Sequence, residues 1–269
     1  PEELDRIQGR LNKINSLKRK YGETIEEILQ YAAQIRENLE LIENSEAEIS
    51  QAEKEMDCAR RVYYEKAGEL STLRKKVAQT LTERLTSLLK ELAMEDADFE
   101  VRFHSDPERL SAEGIDEICF YISTNRGQEK KPLAKIASGG EISRIMLAIK
   151  SILADCDQTG TLIFDEIDTG ISGRTAQVVA QKMSQLSASH QILCISHLSQ
   201  IASMADTHFL IKKETVNENT ITKFLLLEGE SRTEELARML GGVEVTATTR
   251  QHAQEVLRLA KEFKNTSKI

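Results

Sequence analysis

From Ile28 an apolar side chain returns at every seventh position, through Ile35, Ile42, Ile49, Met56, Tyr63 and Leu70 to Val77. Such a run in register predicts one seam of a coiled-coil helix. The companion series is less regular: Ile25, Ala32 and Leu39 give way to Glu46, Glu53 and Arg60, after which Ala52, Ala59 and Leu73 flank the other side of the main stripe. That drift reads as a stutter in the coil. A helix from about Ile25 to Met94 is expected to be roughly 100 Å long, too long to pack lengthwise on a domain of this size, so the pattern calls for a helical partner. Upstream, Leu4, Ile7, Leu11, Ile14 and Leu17 mark a shorter amphipathic helix. Tyr21-Gly22 supplies a C-terminal glycine and Thr24 to Glu27 a capping box, which predicts a helix-helix corner near 20–25.

At Leu81, Leu85, Leu88, Leu89 and Leu92 the apolar face broadens, as where an arm enters a compact head. Strand patterns follow at 99–104 and 115–124, punctuated by turns at Asp106-Pro107 and Asn125 to Gly127. Next come a helix from Glu141 to about Ala154, the apolar strand TLIFD, a helix from Gly173 to Leu186 and the strand QILCIS. A short helix at 198–204, strands near 207–213 and 220–227, and helices near 233–240 and 246–263 complete the pattern. Alternating strand and helix predict an α/β fold with parallel core strands, whose C-terminal edge is where ligands gather. The expected division is a coiled-coil arm at 1–95 and a globular lobe at 96–269.

The 269 residues suffice for a sizeable core, and the 30% charged and 4% aromatic content suits long solvated helices beside it. The net charge of −8 argues against a broad nucleic-acid surface, so any DNA contact is expected to be local or to lie elsewhere. Lys18-Arg19-Lys20 and Arg74-Lys75-Lys76 read first as solvated helix faces and second as phosphate contacts. Cys58, Cys119, Cys156 and Cys194 form no CxxC and no Cys/His cluster; they read as reduced, mostly buried thiols. No apolar run reaches the ~18 residues of a membrane span. A cytoplasmic location is expected, and the opening PEELDRI, already inside a heptad-like pattern, reads as a fragment of a longer polypeptide.

The chemistry concentrates in three places. Ser138-Gly139-Gly140-Glu141 opens a helix; two glycines allow a phosphate close to backbone N–H groups, the hydroxyl adds a donor, and the helix N-terminus is positive. The competing reading is a glycine turn that only lets the helix start. Asp165 and Glu166 emerge from the buried strand Leu162-Ile163-Phe164, where in an ATPase the first carboxylate holds Mg²⁺ and the second polarises the attacking water; alternatively they are an acidic turn capping the next helix. His197 follows Ser196 at the end of the next apolar strand, at the same edge, where its ring can donate to a γ-phosphate; a lone His is otherwise a cap or core residue. Asp168, in a stretch with Gly170 and Gly173, is either part of this site or a simple N-cap. His104, His190, His208 and His252 have no companions and read as structural or exposed.

The order of these parts resembles the ABC-type ATPases. More closely, KPLAKIASGGEISRIMLAIKSILA, TLIFDEIDTGISGRTAQVVAQKM and QILCISHLSQIASMADTHFLIKK, with EELARMLGG near the end and LKRKYGETIEEIL in the arm, resemble the bacterial RecN family across essentially the whole chain. RecN proteins are DNA double-strand-break repair ATPases related to the SMC proteins. The resemblance implies the C-terminal lobe of an ABC-type ATPase head, a P-loop-NTPase-like parallel sheet with flanking helices, preceded by a descending coiled-coil arm. By the same resemblance Ala137 to Glu141 matches the signature motif, Leu162 to Glu166 Walker B, Ile167 to Gly173 the D-loop and Ser196-His197 the switch histidine. It implies that Asp165 carries Mg²⁺, Glu166 is the base, His197 senses the γ-phosphate, and Ser138, Gly139, Gly140, Glu141 and Asp168 contact ATP. The family's Walker A and Q-loop sequences do not occur here. ATP binding is therefore expected to need an N-terminal lobe of the same protein, and head closure a second head. DNA is the implied partner, met at the coil tip or outside these residues, in a nucleoid-associated bacterial protein. Two alternatives remain: a non-catalytic coiled-coil scaffold, and a transporter nucleotide-binding domain, which lacks such an arm.

Overall fold

The computed structural model describes residues 2–108, 110–136, 138–154, 156–216, 219–242 and 244–266. Two compact units are separated, residues 1–70 and 71–269. This structural boundary lies earlier than the division at 95/96, because Leu85, Leu88, Leu89 and Leu92 at the end of the long helix are core residues of the second unit.

In the first unit, α1 (Glu2–Tyr21) has no buried residue, begins with Glu2, Glu3 and Asp5 and ends with Lys18, Arg19 and Lys20. Acids at the N-terminus and bases at the C-terminus both oppose the helix dipole, which gives the basic run a local structural role. Gly22 turns the chain with φ +154°, and a Cβ there would lie 2.7 Å from that of Glu27. Next, α2 (Ile25–Glu91, 67 residues) starts with the expected cap. Glu27 N–H donates to Thr24 Oγ1 at 3.2 Å, and the Glu27 carboxylate accepts from Glu23 N–H at 2.7 Å. Along the predicted seam Ile35, Ile42, Ile49 and Met56 are exposed.

The second unit begins with an antiparallel sheet, β1 (Asp98–Ser105), β2 (Asp116–Ser123) and β3 (Lys131–Pro132), in that order. Register places Phe99 opposite Ile122, Val101 opposite Phe120 and Phe103 opposite Ile118, one apolar face by the two-residue period. The buried Asp116 accepts from Ser71 and Ser105 hydroxyls at 3.0 and 2.8 Å. Arg74 donates to the Glu113 carbonyl at 2.7 Å and Lys75 lies over the Phe103 ring, so two members of the second basic run are held against this hairpin.

The parallel element is α3 (Gly139–Leu153), β4 (Thr161–Phe164), α4 (Gly173–Leu186) and β5 (Gln191–Cys194), with β4 and β5 paired from Thr161 opposite Gln191 to Phe164 opposite Cys194. Leu162 and Phe164 point into a core with Ile145, Leu147, Ala148, Val179, Ala180 and Met183. The opposite face is bare: Ile163 is 70%, Leu193 50% and Ile195 55% exposed. After α5 (Ser199–Ser203) comes the hairpin β6 (His208–Val216) and β7 (Asn219–Leu227), which leaves Phe209, Ile211, Phe224 and Leu226 exposed on one face. The helices α6 (Gly229–Gly241) and α7 (Ala247–Thr266) close a smaller cluster around Leu236, Ala237 and Ala253. The thiols differ from expectation: Cys58, Cys119 and Cys156 are exposed, and only Cys194 is part-buried. None of the described helices is long and apolar enough to cross a membrane.

Candidate active site

Pairing of β4 and β5 continues through Ile195 N–H to the Phe164 carbonyl at 3.0 Å, so both strands end at the same level. Asp165-Glu166 and Ser196-His197 therefore leave one sheet edge together, as the sequence pattern predicts. Beside them begins α3, capped by Ser138, whose hydroxyl accepts a long bond from Glu141 N–H at 3.5 Å. Of the signature stretch, Ala137 lies outside the described residues.

The loop after β4 folds onto this helix start. Ser143 Oγ donates to the Asp165 carbonyl at 2.8 Å, and Arg144 donates to the carbonyls of Thr169 at 2.8 Å and Ile167 at 3.3 Å. Burial pulls the Arg144 guanidinium below its ordinary pKa, with Glu141 opposing. Sequence reasoning passed over Arg144. Its signal was available: it occupies the buried stripe of α3, which runs through Gly140, Arg144, Ile145, Leu147 and Ala148. A cation in such a stripe needs acceptors.

Glu166 adopts φ +56°, left-handed backbone that is uncommon outside glycine and that concentrates at functional sites. Its carboxylate lies over the α3 N-terminus: a Cβ built on Gly139 would come within 2.5 Å of Glu166 Oε2. A Cβ on Gly140 would instead meet the Glu166 carbonyl at 2.9 Å and Thr169 Cβ at 3.0 Å. The two glycines thus differ. Gly140 is required by backbone packing, whereas Gly139 faces only a movable side chain. Gly140→Ala is expected to cost about 1–3 kcal/mol of stability, and Gly139→Ala close to none; urea denaturation midpoints measure both, and equal midpoints for the two variants would contradict the distinction.

Asp168 is 3% exposed and points toward β5. Its Oδ2 accepts from Ser196 Oγ at 2.7 Å and His197 N–H at 2.8 Å, and lies 2.9 Å from His197 Nδ1. The His197 side chain is 74% exposed beyond that contact. Between the loop and β5, burial together with the nearby Asp168 and Asp165 carboxylates pushes the Cys194 thiol up to about 12. His190, by contrast, is a buried ring whose Nδ1 lies 2.8 Å from Ser189 Oγ, a structural histidine as expected.

Among the described residues no group of three or more His, Cys, Asp or Glu is placed to hold a metal. Asp165 offers one exposed carboxylate at a strand end. One carboxylate suits Mg²⁺, which keeps waters and takes phosphate oxygens as its other ligands.

Along 267 residues the chain is 44% identical to the DNA repair protein RecN of Halalkalibacterium halodurans, covering 98% of this chain and 47% of that protein. The RecN of Bacillus subtilis is 42% identical over 280 residues, covering 99% and 49%. The sequence is of the RecN type. It spans about half the length of these curated RecN relatives, and no protein-family model matches it. Among solved structures, an Smc head domain with a coiled coil and joint from Pyrococcus yayanosii superimposes with a TM-score of 0.57 at 16% identity, over 87% of this chain and 41% of that one. The fold of this RecN-type chain is accordingly an α/β SMC-type head lobe with a coiled-coil arm.

Proposed function

We propose that this chain supplies one lobe of an ATP-hydrolysing head in a DNA double-strand-break repair and recombination ATPase of the RecN type. The observation that carries the reading is the convergence of Asp165, Glu166 and His197 at one sheet edge, beside the glycine-opened start of α3. In this reading Asp165 takes the Mg²⁺ of ATP, Glu166 orients and deprotonates the attacking water, and His197 reads the γ-phosphate. Ser138, Gly139, Gly140 and Glu141 form the surface that meets ATP held by a second head. A magnesium ion would supply charge neutralisation on the phosphates; positioning the water and closing the site fall to the side chains.

The bare face of β4 and β5, with Ile163, Leu193 and Ile195 exposed, supports an N-terminal lobe of the same protein lying on it and bringing Walker A. The exposed seam of Ile35, Ile42, Ile49 and Met56 supports a second helix along the arm. DNA is the natural substrate of a RecN-type machine, contacted at the coil tip or on the other lobe, since this chain carries a charge of −8.

The test compares this chain with the full-length protein. Alone, the chain is expected neither to bind ATP tightly nor to hydrolyse it, and co-expression with the N-terminal lobe to restore both. In the full-length protein, Ser138→Arg puts bulk and charge at the phosphate-facing turn and is expected to abolish ATP-dependent dimers in sedimentation. Hydrolysis by the isolated chain, abolished by Glu166→Gln, would refute the divided site. A full-length protein that dimerises equally with and without ATP, and hydrolyses none, would leave the coiled-coil scaffold reading instead.

A further inference from the structure

The contacts made by Asp168 reach beyond the assignment of a nucleotide-binding carboxylate. Its Oδ2 is buried, already receives the Ser196 hydroxyl and the His197 backbone N–H, and lies 2.9 Å from His197 Nδ1. Ser196 Oγ in turn accepts from Leu198 N–H at 3.1 Å. One carboxylate oxygen thus organises the whole turn that leaves β5. Such an oxygen is occupied by donors within the chain.

We propose that Asp168 is a positioning residue for His197: it holds the imidazole by Nδ1–H, fixes the tautomer, and leaves Nε2 on the open side of the ring. The inference deepens the ATPase reading above and rests on it for its catalytic consequence. The chemistry is general. A carboxylate that accepts from one imidazole nitrogen keeps the proton there, so the other nitrogen is an acceptor in the neutral ring and becomes a donor only when the ring is charged. Without that anchor, a side chain 74% exposed has nothing else described to hold its orientation at the strand end. The anchor itself is fixed from behind: the loop carrying Asp168 is tied to α3 by Arg144 through the carbonyls of Ile167 and Thr169, the residues on either side of it. Ring orientation at β5 is therefore set by the same loop that presents Asp165 and Glu166.

The experiment uses the full-length protein with ¹⁵N-labelled histidine, in wild type, Asp168→Asn, Asp168→Glu, His197→Ala and the Asp168→Asn/His197→Ala double variant. In wild type the His197 ring is expected to carry a proton on Nδ1, as the neutral Nδ1–H tautomer or as the charged ring, assigned by its loss in His197→Ala; a neutral Nε2–H tautomer in wild type overturns the proposal without reference to activity or to the folding of any variant. Asp168→Asn is expected to shift the tautomer signal and to lower kcat roughly tenfold to a hundredfold, by analogy with the carboxylates that orient metal-ligating histidines, with KM changed less than twofold. Asp168→Glu is expected to recover part of the loss. In the His197→Ala background, Asp168→Asn is expected to add nothing; losses that multiply would overturn the proposal, because Asp168 would then act independently of the ring. If hydrolysis is absent in wild type or indifferent to Glu166→Gln, the ATPase reading falls, and the tautomer measurement still decides whether Asp168 holds His197.

Discussion

Glu166→Gln in the full-length protein is expected to lower kcat by about a hundredfold to ten-thousandfold, the range contributed by a positioned general base, while KM stays nearly constant. ATP-bound head dimers should accumulate, because Asp165 and the glycine turn keep their contacts when only the base is neutralised. The substitution suits the observed backbone. Glutamine has the shape of glutamate, so the left-handed conformation at φ +56° and the approach of the side chain to Gly139 are preserved. Stopped-flow hydrolysis with sedimentation in ATP measures both effects. A fall of less than tenfold, or dimer populations no larger than those of Ser138→Arg, would remove the base role from Glu166.

The carboxylate of Glu166 lies over the start of α3, where a helix N-terminus favours negative charge. In the proposed cycle that is the turn a phosphate approaches from the partner head. The proposed base and the glycines proposed to face phosphate are therefore neighbours, with Ser143 and Arg144 tying the loop on either side of Glu166 to α3, and loss of one should be felt at the other.

How much of this could be read from the sequence depended on range. The arm was legible because its signals are local: the seam repeats every seven residues, and the cap at Thr24 and Glu27 involves residues three apart. The strand ends at Asp165 and Ser196 were legible because an apolar run that stops in polar residues marks the edge of a buried strand. The ladder between β4 and β5 agrees with that reading. The different demands on Gly139 and Gly140 were not legible, since they depend on which atoms of a loop some 27 residues later come near. Asp168 offered two readings in sequence, nucleotide contact or N-cap, and its partners lie 28 and 29 residues away in Ser196 and His197. The exposed thiols were missed for a related reason: exposure of Cys119 depends on which face of β2 is covered, just as the membership of Leu85 to Leu92 in a core depends on strands downstream.

Arg144→Ala is expected to destabilise the chain by about 2–6 kcal/mol, as the buried Ile167 carbonyl and the part-buried Thr169 carbonyl lose their donor at roughly 1–3 kcal/mol each. Arg144 is 6% exposed, and its Nη1 alone serves both Thr169 and Ile167; its Nε has no partner among the described groups. Stabilisation is thus concentrated in one end of a buried cation whose desolvation opposes it, as the lowered pKa indicates. Arg144→Lys separates the contributions. A lysine ammonium has donors enough for both carbonyls, as Nη1 does, but it is a more strongly hydrated point charge on a shorter, flexible stem, so about half the loss is expected to remain. Urea denaturation gives the free-energy differences, and amide exchange at Thr169 and Ile171 should accelerate in the alanine variant, since their N–H groups bond to the Glu166 and Asp168 carbonyls within the same loop. A loss below about 0.5 kcal/mol, within the range of ordinary surface substitutions, would show that the loop bearing Asp165, Glu166 and Asp168 holds its shape without α3.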